Sequence, residues 1–511
     1  MNIKQAKEEI RHAISAYLSK DEFGEYKIPV VSQRPILLIG PPGIGKTAIM
    51  EQVARECKVG LVAYTITHHT RQSAIGLPYI EKKMYAGKEY PVTEYTMSEI
   101  IASVYEKIEE SGLKEGILFI DEINCVSETL SATMLQFLQG KSFGAHKVPE
   151  GFIIVAAGNP PEYNKSVKEF DIVTLDRVRR LDVVEDYTVW KEYASKAKVH
   201  NAVLSYLDIK KENFYTVEST IEGKQFVTAR GWEDLSRLLY VYEEQGIKIT
   251  EDIIYQYLQQ PSIAKDFSNY YDLYNKYKTH YDIQAMLSGT APKEMLQNLM
   301  DATFDERISV ISLFLSKLYE KFQMVFQQDA YVMELYDALK KVKEKLYINE
   351  DIKEDADAVE ALRQVHQNKT KQLARLKRGN LIEKKEEQIF KKVLQSLDSF
   401  LLTIQGEKLQ SDQAFQYLKS QFDTETTLRT KSIEDATNSL TQAFLIMEEA
   451  FLNTPEMVMF LTELTMNYYS GKFISEYGSE AYYKYNKEIL LTTKRKDLLK
   501  DIENLNNQTL Q

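Results

Sequence analysis

The stretch Pro35-Ile36-Leu37-Leu38-Ile39-Gly40-Pro41-Pro42-Gly43-Ile44-Gly45-Lys46-Thr47-Ala48 decides how this chain is read. A short β-branched apolar run is followed by a full match to G-x-x-x-x-G-K-[ST]. A helical pattern then continues through about Cys57. Strand, glycine-rich turn and helix in that order form a phosphate-gripping loop. Glycine 43 and glycine 45 let backbone N–H groups curl round an anion with no Cβ in the way. The helix N-terminus adds its positive end. Lys46 is placed for β- and γ-phosphates and Thr47 for a magnesium ion. Residues 40–48 are the expected nucleotide contacts.

Further apolar runs occur at 61–66, 116–121, 152–157 and 180–184, with helical patterns between them. Short continuous runs of this kind read as parallel strands covered on both faces, and the alternation predicts a doubly wound α/β sheet. Thr96-Met97-Ser98-Glu99 has the form of a capping box opening a helix that Gly112 stops. A second helix is expected from about Glu128 to Gln139.

The strand 116–121 ends in Asp121-Glu122. An acid at the carboxyl end of a buried strand faces the ligand crevice of such a sheet. Asp121 is expected to join Thr47 in holding Mg²⁺, and Glu122 to polarise the attacking water as general base.

Residues 186–257 read as helical, with a hairpin near 214–226. From 258 onward only three prolines occur, and stripes such as Ile389, Val393, Leu397 and Leu401 keep helical spacing. The expected organisation is an α/β nucleotide-binding domain over 1–185, a small helical lid over 186–257, and a large all-helical domain over 258–511. The charge-dense segment 368–387 is expected to be a solvated helical hairpin.

A net charge of −11 opposes general nucleic-acid binding. Two cysteines without metal or disulfide spacing fit a reducing cytosol. No apolar run approaches membrane-spanning length, and the N-terminus reads as an amphipathic helix rather than a signal peptide. A cytoplasmic protein is expected.

GPPGIGKT, ILFIDEIN, HKVPEGFIIVAAGNPPEY and LDRVRRLDV together resemble the AAA+ ATPases of the MoxR/dynein-related group, over roughly residues 20–245. The resemblance implies ATP and Mg²⁺ as ligands and a set of further roles. Asn159 resembles sensor 1, although Asn-Pro-Pro is also a strong turn signal. Arg177 resembles an arginine finger reaching the neighbouring subunit's nucleotide, with Arg179 and Arg180 as competitors. Arg230, in Thr228-Ala-Arg-Gly-Trp232, resembles sensor 2. The segment Ile28-Pro29-Val30-Val31 is placed to pack on adenine, and the segment following His68 and His69, with Gly76-Leu77-Pro78-Tyr79, fits the group's insert after the second strand.

The resemblance further implies a hexameric ring, a chaperone-like action on a protein client, and a partner bearing a von Willebrand factor A domain. The alternatives are a nucleic-acid motor or a GTP-driven restriction subunit on the same core, and a nucleotide-gated scaffold without turnover.

Overall fold

The computed structural model describes residues 1–487 except 69, 71, 73, 75, 126–127, 164–169, 171, 221–222, 349–350, 353–356 and 453. His69 lies outside the described residues. Contacts divide the chain into two compact units, one of residues 1–189, 228–230 and 367–388, the other of 190–227, 231–366 and 389–511.

In the first unit each of the five apolar runs forms a strand. They assemble in the order Gly60–Thr65, Gly116–Asp121, Phe152–Gly158, Ile36–Ile39, Arg179–Asp182, and all four pairings are parallel. Both sheet faces are covered: Ile117, Leu118, Phe119 and Ile120 are all fully buried. That is why these strands carry continuous apolar runs rather than alternation. On one face Leu37, Leu118, Ile120 and Ile154 pack with Ile100, Ile101 and Val104 of helix Glu99–Ser111 and with Met134 and Phe137 of helix Glu128–Gly140.

The strand order places the site. After Ile36–Ile39 the chain crosses to the far edge and returns strand by strand. It then adds Arg179–Asp182 on the other side. Strand Ile36–Ile39 therefore stands at the topological switch point, where the crevice opens beyond the carboxyl ends.

One local expectation changes, the helix cap. Helix Glu99–Ser111 is capped by Ser98, whose side chain accepts the Ile100 N–H; Gly112 ends it at φ +72°. The Thr96 hydroxyl instead accepts the Leu77 N–H at 2.9 Å, so Thr96 closes the base of an antiparallel ribbon, Pro78–Tyr85 with Lys88–Tyr95, that occupies the expected insert.

Among its described residues the second unit is helical apart from the expected hairpin, Thr216–Thr220 with Gly223–Val227, and a two-residue pairing of Tyr347–Ile348 with Asp351–Ile352. Its longest members, Phe304–Leu346 and Ser411–Phe451, have 43 and 41 residues, each about 60 Å of helix. They bury two separate cores. Phe314 and Phe322 meet Phe444, Phe451 and Phe473 in one; Leu335 and Val342 meet Leu362, Val393 and Leu397 in the other.

The charged segment forms a hairpin between helices Ala358–Arg378 and Lys384–Gly406, turning through Asn380 at φ +54°. Its tip belongs to the first unit, where Lys107 Nζ donates to the Arg378 carbonyl at 3.0 Å and Arg55 lies 3.6 Å from Glu383. A cation against the last carbonyls of a helix is favourably placed. Among the described residues no helix is long and apolar enough to cross a membrane.

Candidate nucleotide-binding site

The phosphate loop leaves Ile39 and enters helix Lys46–Cys57 through two left-handed glycines, Gly43 at φ +76° and Gly45 at φ +94°. A Cβ on Gly43 would stand 3.1 Å from Thr228 and 3.5 Å from the Arg230 Cβ. The loop is therefore packed directly under the segment that carries Arg230. Pro41, Ile44 and Lys46 are buried, Pro42 is half-buried, and Thr47 and Ala48 are exposed in the first helical turn.

Lys46 is the centre of the arrangement. Its ammonium donates to the carbonyls of Gly40 (2.7 Å) and Pro41 (2.8 Å) and to Asn159 Oδ1 (2.9 Å). Burial lowers its pKa to about 8; Asp121 opposes that shift and Arg230 reinforces it. Desolvation of a charged group with too little opposite charge near it has this effect. A polyphosphate entering the loop would supply the missing charge.

The carboxylates sit where strand Gly116–Asp121 ends. Thr47 Oγ1 donates to Asp121 Oδ2 at 2.8 Å, while Asp121 Oδ1 accepts the Glu122 N–H at 2.9 Å. A hydroxyl and a carboxylate oxygen side by side suit a hard cation that takes oxygen ligands and keeps several waters. Among the described residues no group of three or more His, Cys, Asp or Glu side chains could hold a metal alone. Glu122 adopts φ +59°, a left-handed value uncommon outside glycine. Its Oε2 accepts the Thr67 hydroxyl at 3.0 Å.

Asn159 follows strand Phe152–Gly158. Its side chain reaches Lys46, and its backbone pairs with the side chain of Asn124, Nδ2 to the Asn159 carbonyl at 2.8 Å and the Asn159 N–H to Oδ1 at 3.2 Å. Sequence reasoning passed over Thr67 and Asn124. Thr67 lies two residues past Thr65, the carboxyl end of a parallel strand, and Asn124 lies in the same turn as Glu122. Those positions were the available signals.

The structure thus brings the loop, Asp121, Glu122, Asn159 and Arg230 together. Arg177 stands apart. Arg179 pairs with Ile36 and Asp182 with Ile39 in the parallel ladder, so Arg177 lies before the amino end of its strand, opposite the end that carries the loop. Its side chain is exposed. Arg179 forms an ion pair with Glu9, and Arg180 Nε donates to Asp182 at 2.8 Å.

No curated protein matches the chain. Among solved structures, a candidate ATPase from Cytophaga hutchinsonii ATCC 33406 is similar at 17% identity with a TM-score of 0.22. That likeness spans 36% of this chain and about half, 52%, of the other. Residues 36–176 match the family model described as ATPase family associated with various cellular activities (AAA). The matched segment holds the phosphate loop, Asp121, Glu122 and Asn159 and is similar to the AAA ATPase domain.

Proposed function

We propose that this protein hydrolyses ATP within an oligomeric ring and uses the resulting movement to remodel, mature or assemble a partner protein, in the manner of MoxR-like ATPases. The observation that carries the reading is the convergence on one crevice of Lys46, Thr47, Asp121, Glu122 and Asn159. Each group has a separate task there. Lys46 and the loop amides hold the β- and γ-phosphates. Thr47 and Asp121 would hold Mg²⁺, which supplies charge neutralisation on the phosphate oxygens when bound. Glu122 takes a proton from a water whose oxygen attacks the γ-phosphorus as the bond to the bridging oxygen breaks, leaving ADP and phosphate. Asn159 orients that water or the γ-phosphate. Arg230 adds charge from the lid side, and Arg177 is the finger supplied to a neighbouring copy.

In this reading residues 186–257 are the lid and 258–511 carry the movement or dock the partner. The resemblance to MoxR-like proteins suggests six subunits and a partner with a von Willebrand factor A domain. The acidic chain disfavours a nucleic-acid motor.

The test is Glu122→Gln. The amide keeps the side chain's shape but accepts no proton, so ATP–Mg²⁺ binding should persist while turnover falls by about 10²-fold or more. Unchanged phosphate release would remove Glu122 from the role of base.

A further inference from the structure

We propose that Asn124 is a positioning residue that sets the spacing between Glu122 and Asn159, and so between the two groups that must hold one water against the γ-phosphate. The inference rests on the ATPase reading above and adds a residue to it.

The geometry is specific. Asn124 is 5% exposed. Its side-chain amide engages Asn159 twice, donating to the Asn159 carbonyl at 2.8 Å and accepting the Asn159 N–H at 3.2 Å, and its oxygen also meets Cys125 Sγ at 4.0 Å. With both backbone groups of Asn159 pinned, only its side chain is left to turn, and that side chain meets Lys46 at 2.9 Å. At its other end Asn124 belongs to the turn that carries Glu122. That turn is tied by the Cys125 N–H to the Glu122 carbonyl and by the Ile123 N–H to the Ala157 carbonyl, both at 2.9 Å. Glu122 holds a left-handed φ of +59° within it, a conformation that persists only where neighbours over-determine it. Asn124 is thus a cross-brace between two adjacent strand ends, one carrying the base and the other the sensor.

The brace also accounts for Gly158. A Cβ there would lie 2.5 Å from Asn124 Oδ1, 2.8 Å from Cγ and 3.1 Å from Nδ2. Gly158 leaves room for the amide, and the amide needs both a donor and an acceptor. Aspartate lacks the donor at neutral pH and leucine lacks both, while serine carries donor and acceptor on one oxygen and cannot offer them from two separate atoms.

The experiment compares the full-length chain with Asn124→Ala, Asn124→Asp, Gly158→Ala and the Asn124→Ala/Gly158→Ala double variant. It measures steady-state ATP turnover, affinity for a fluorescent ATP analogue, and thermal unfolding without nucleotide. Loosening the brace should lower kcat by about 10-fold to 100-fold, the scale of a misplacement of about 1 Å, with nucleotide Kd changed less than threefold. Gly158→Ala should act likewise in the natural background and add almost nothing where Asn124 is already alanine. The same non-additivity should appear in the unfolding midpoints, which need no nucleotide.

Asn124→Asp keeps the shape and the acceptor but places an oxygen without a proton against the Asn159 carbonyl. Its kcat relative to the natural chain should rise as pH falls and the carboxyl gains a donor.

Folded Asn124 variants with natural kcat, Kd rising in parallel with kcat loss, or strictly additive effects of the two alanines would each overturn the proposal. Failure of the natural chain to turn over ATP would instead remove the ATPase reading on which it rests. Should Asn124→Ala not fold, Gly158→Ala and the pH profile of Asn124→Asp decide the question.

Discussion

Lys46 should take up a proton when nucleotide binds, and the pH at which it does so follows from its surroundings. Burial holds this lysine at about pH 8 against an ordinary 10.5. The phosphates of a bound nucleotide would bring several negative charges into contact with it and restore its value upward. Binding should then take up about 0.1 proton at pH 7, about half a proton at pH 8 and about 0.9 at pH 9. Affinity should weaken by up to about tenfold per unit above pH 8, to a limit of about 3 kcal/mol across the shift.

The assay is calorimetric titration with ATP–Mg²⁺ in two buffers of different ionisation enthalpy at each pH, the difference in heat giving the protons exchanged. Without nucleotide the sign runs the other way for folding. The unfolded chain holds this proton up to about 10.5 and the folded chain only to about 8. Folded stability should therefore gain from this residue as pH rises between those values, and lack that gain below 8. Proton uptake that stays flat from pH 7 to 9.5 would refute the claim that burial controls Lys46.

Gly43→Ala should weaken ATP binding at least tenfold and destabilise the fold by about 1–2 kcal/mol, because the residue holds φ +76° and its Cβ would stand 3.1 Å from Thr228; fluorescent-nucleotide titration and denaturant melts read both. In the helical unit, Glu243 accepts from Tyr271 (2.8 Å) and Lys278 (3.0 Å) and meets His200 Nε2 at 3.1 Å. Burial pushes its carboxyl up, but these partners outweigh burial and hold it at about 2. Its contribution, about 2 kcal/mol, should be present above pH 4.5 and lost as pH falls toward 2. Unfolding midpoints of Glu243→Gln against the natural chain across that range measure it.

The strands were legible in the sequence because their surroundings are simple. Ile117 to Ile120 are covered on both sides, and the run of apolar residues reports that directly. The ribbon Pro78–Tyr85 with Lys88–Tyr95 was not legible, because neither of its faces is buried. Ile80, Met84, Tyr85 and Tyr90 are all exposed, so no apolar–polar alternation marks a strand. The loop, Asp121 and Glu122 announce themselves as motifs, since each depends on neighbours close in sequence. Thr67 and Asn124 act on partners 55 and 35 positions away, and nothing local distinguishes them from any polar residue after a strand. The sequence puts Arg177 first by its place in Leu175-Asp176-Arg177 and leaves Arg179 and Arg180 as competitors; the structure pairs Arg179 with Glu9 and Arg180 with Asp182.

That separation leads to a test of the ring. Arg177 and the phosphate loop of the same chain lie toward opposite ends of the pair formed by Ile36–Ile39 and Arg179–Asp182. The intervening strand is about 10 Å long, with the turn before Arg179 still to add, and an arginine side chain does not bridge that gap. If Arg177 stabilises charge on a γ-phosphate, the phosphate must belong to another copy, bound head-to-tail as in a closed ring. Arg177→Ala should then leave ATP binding intact and lower turnover by about 10³-fold or more, while Lys46→Ala should lose binding. Each variant is inactive for a different reason, so mixing them is informative. In a randomly mixed ring about one interface in four joins an intact loop to an intact finger, and turnover should return to about that share of the natural rate. Mixed chains that assemble yet stay as inactive as either parent would show that Arg177 does not act across the interface. Retained turnover in Arg177→Ala alone would shift the role to Arg179 or Arg180.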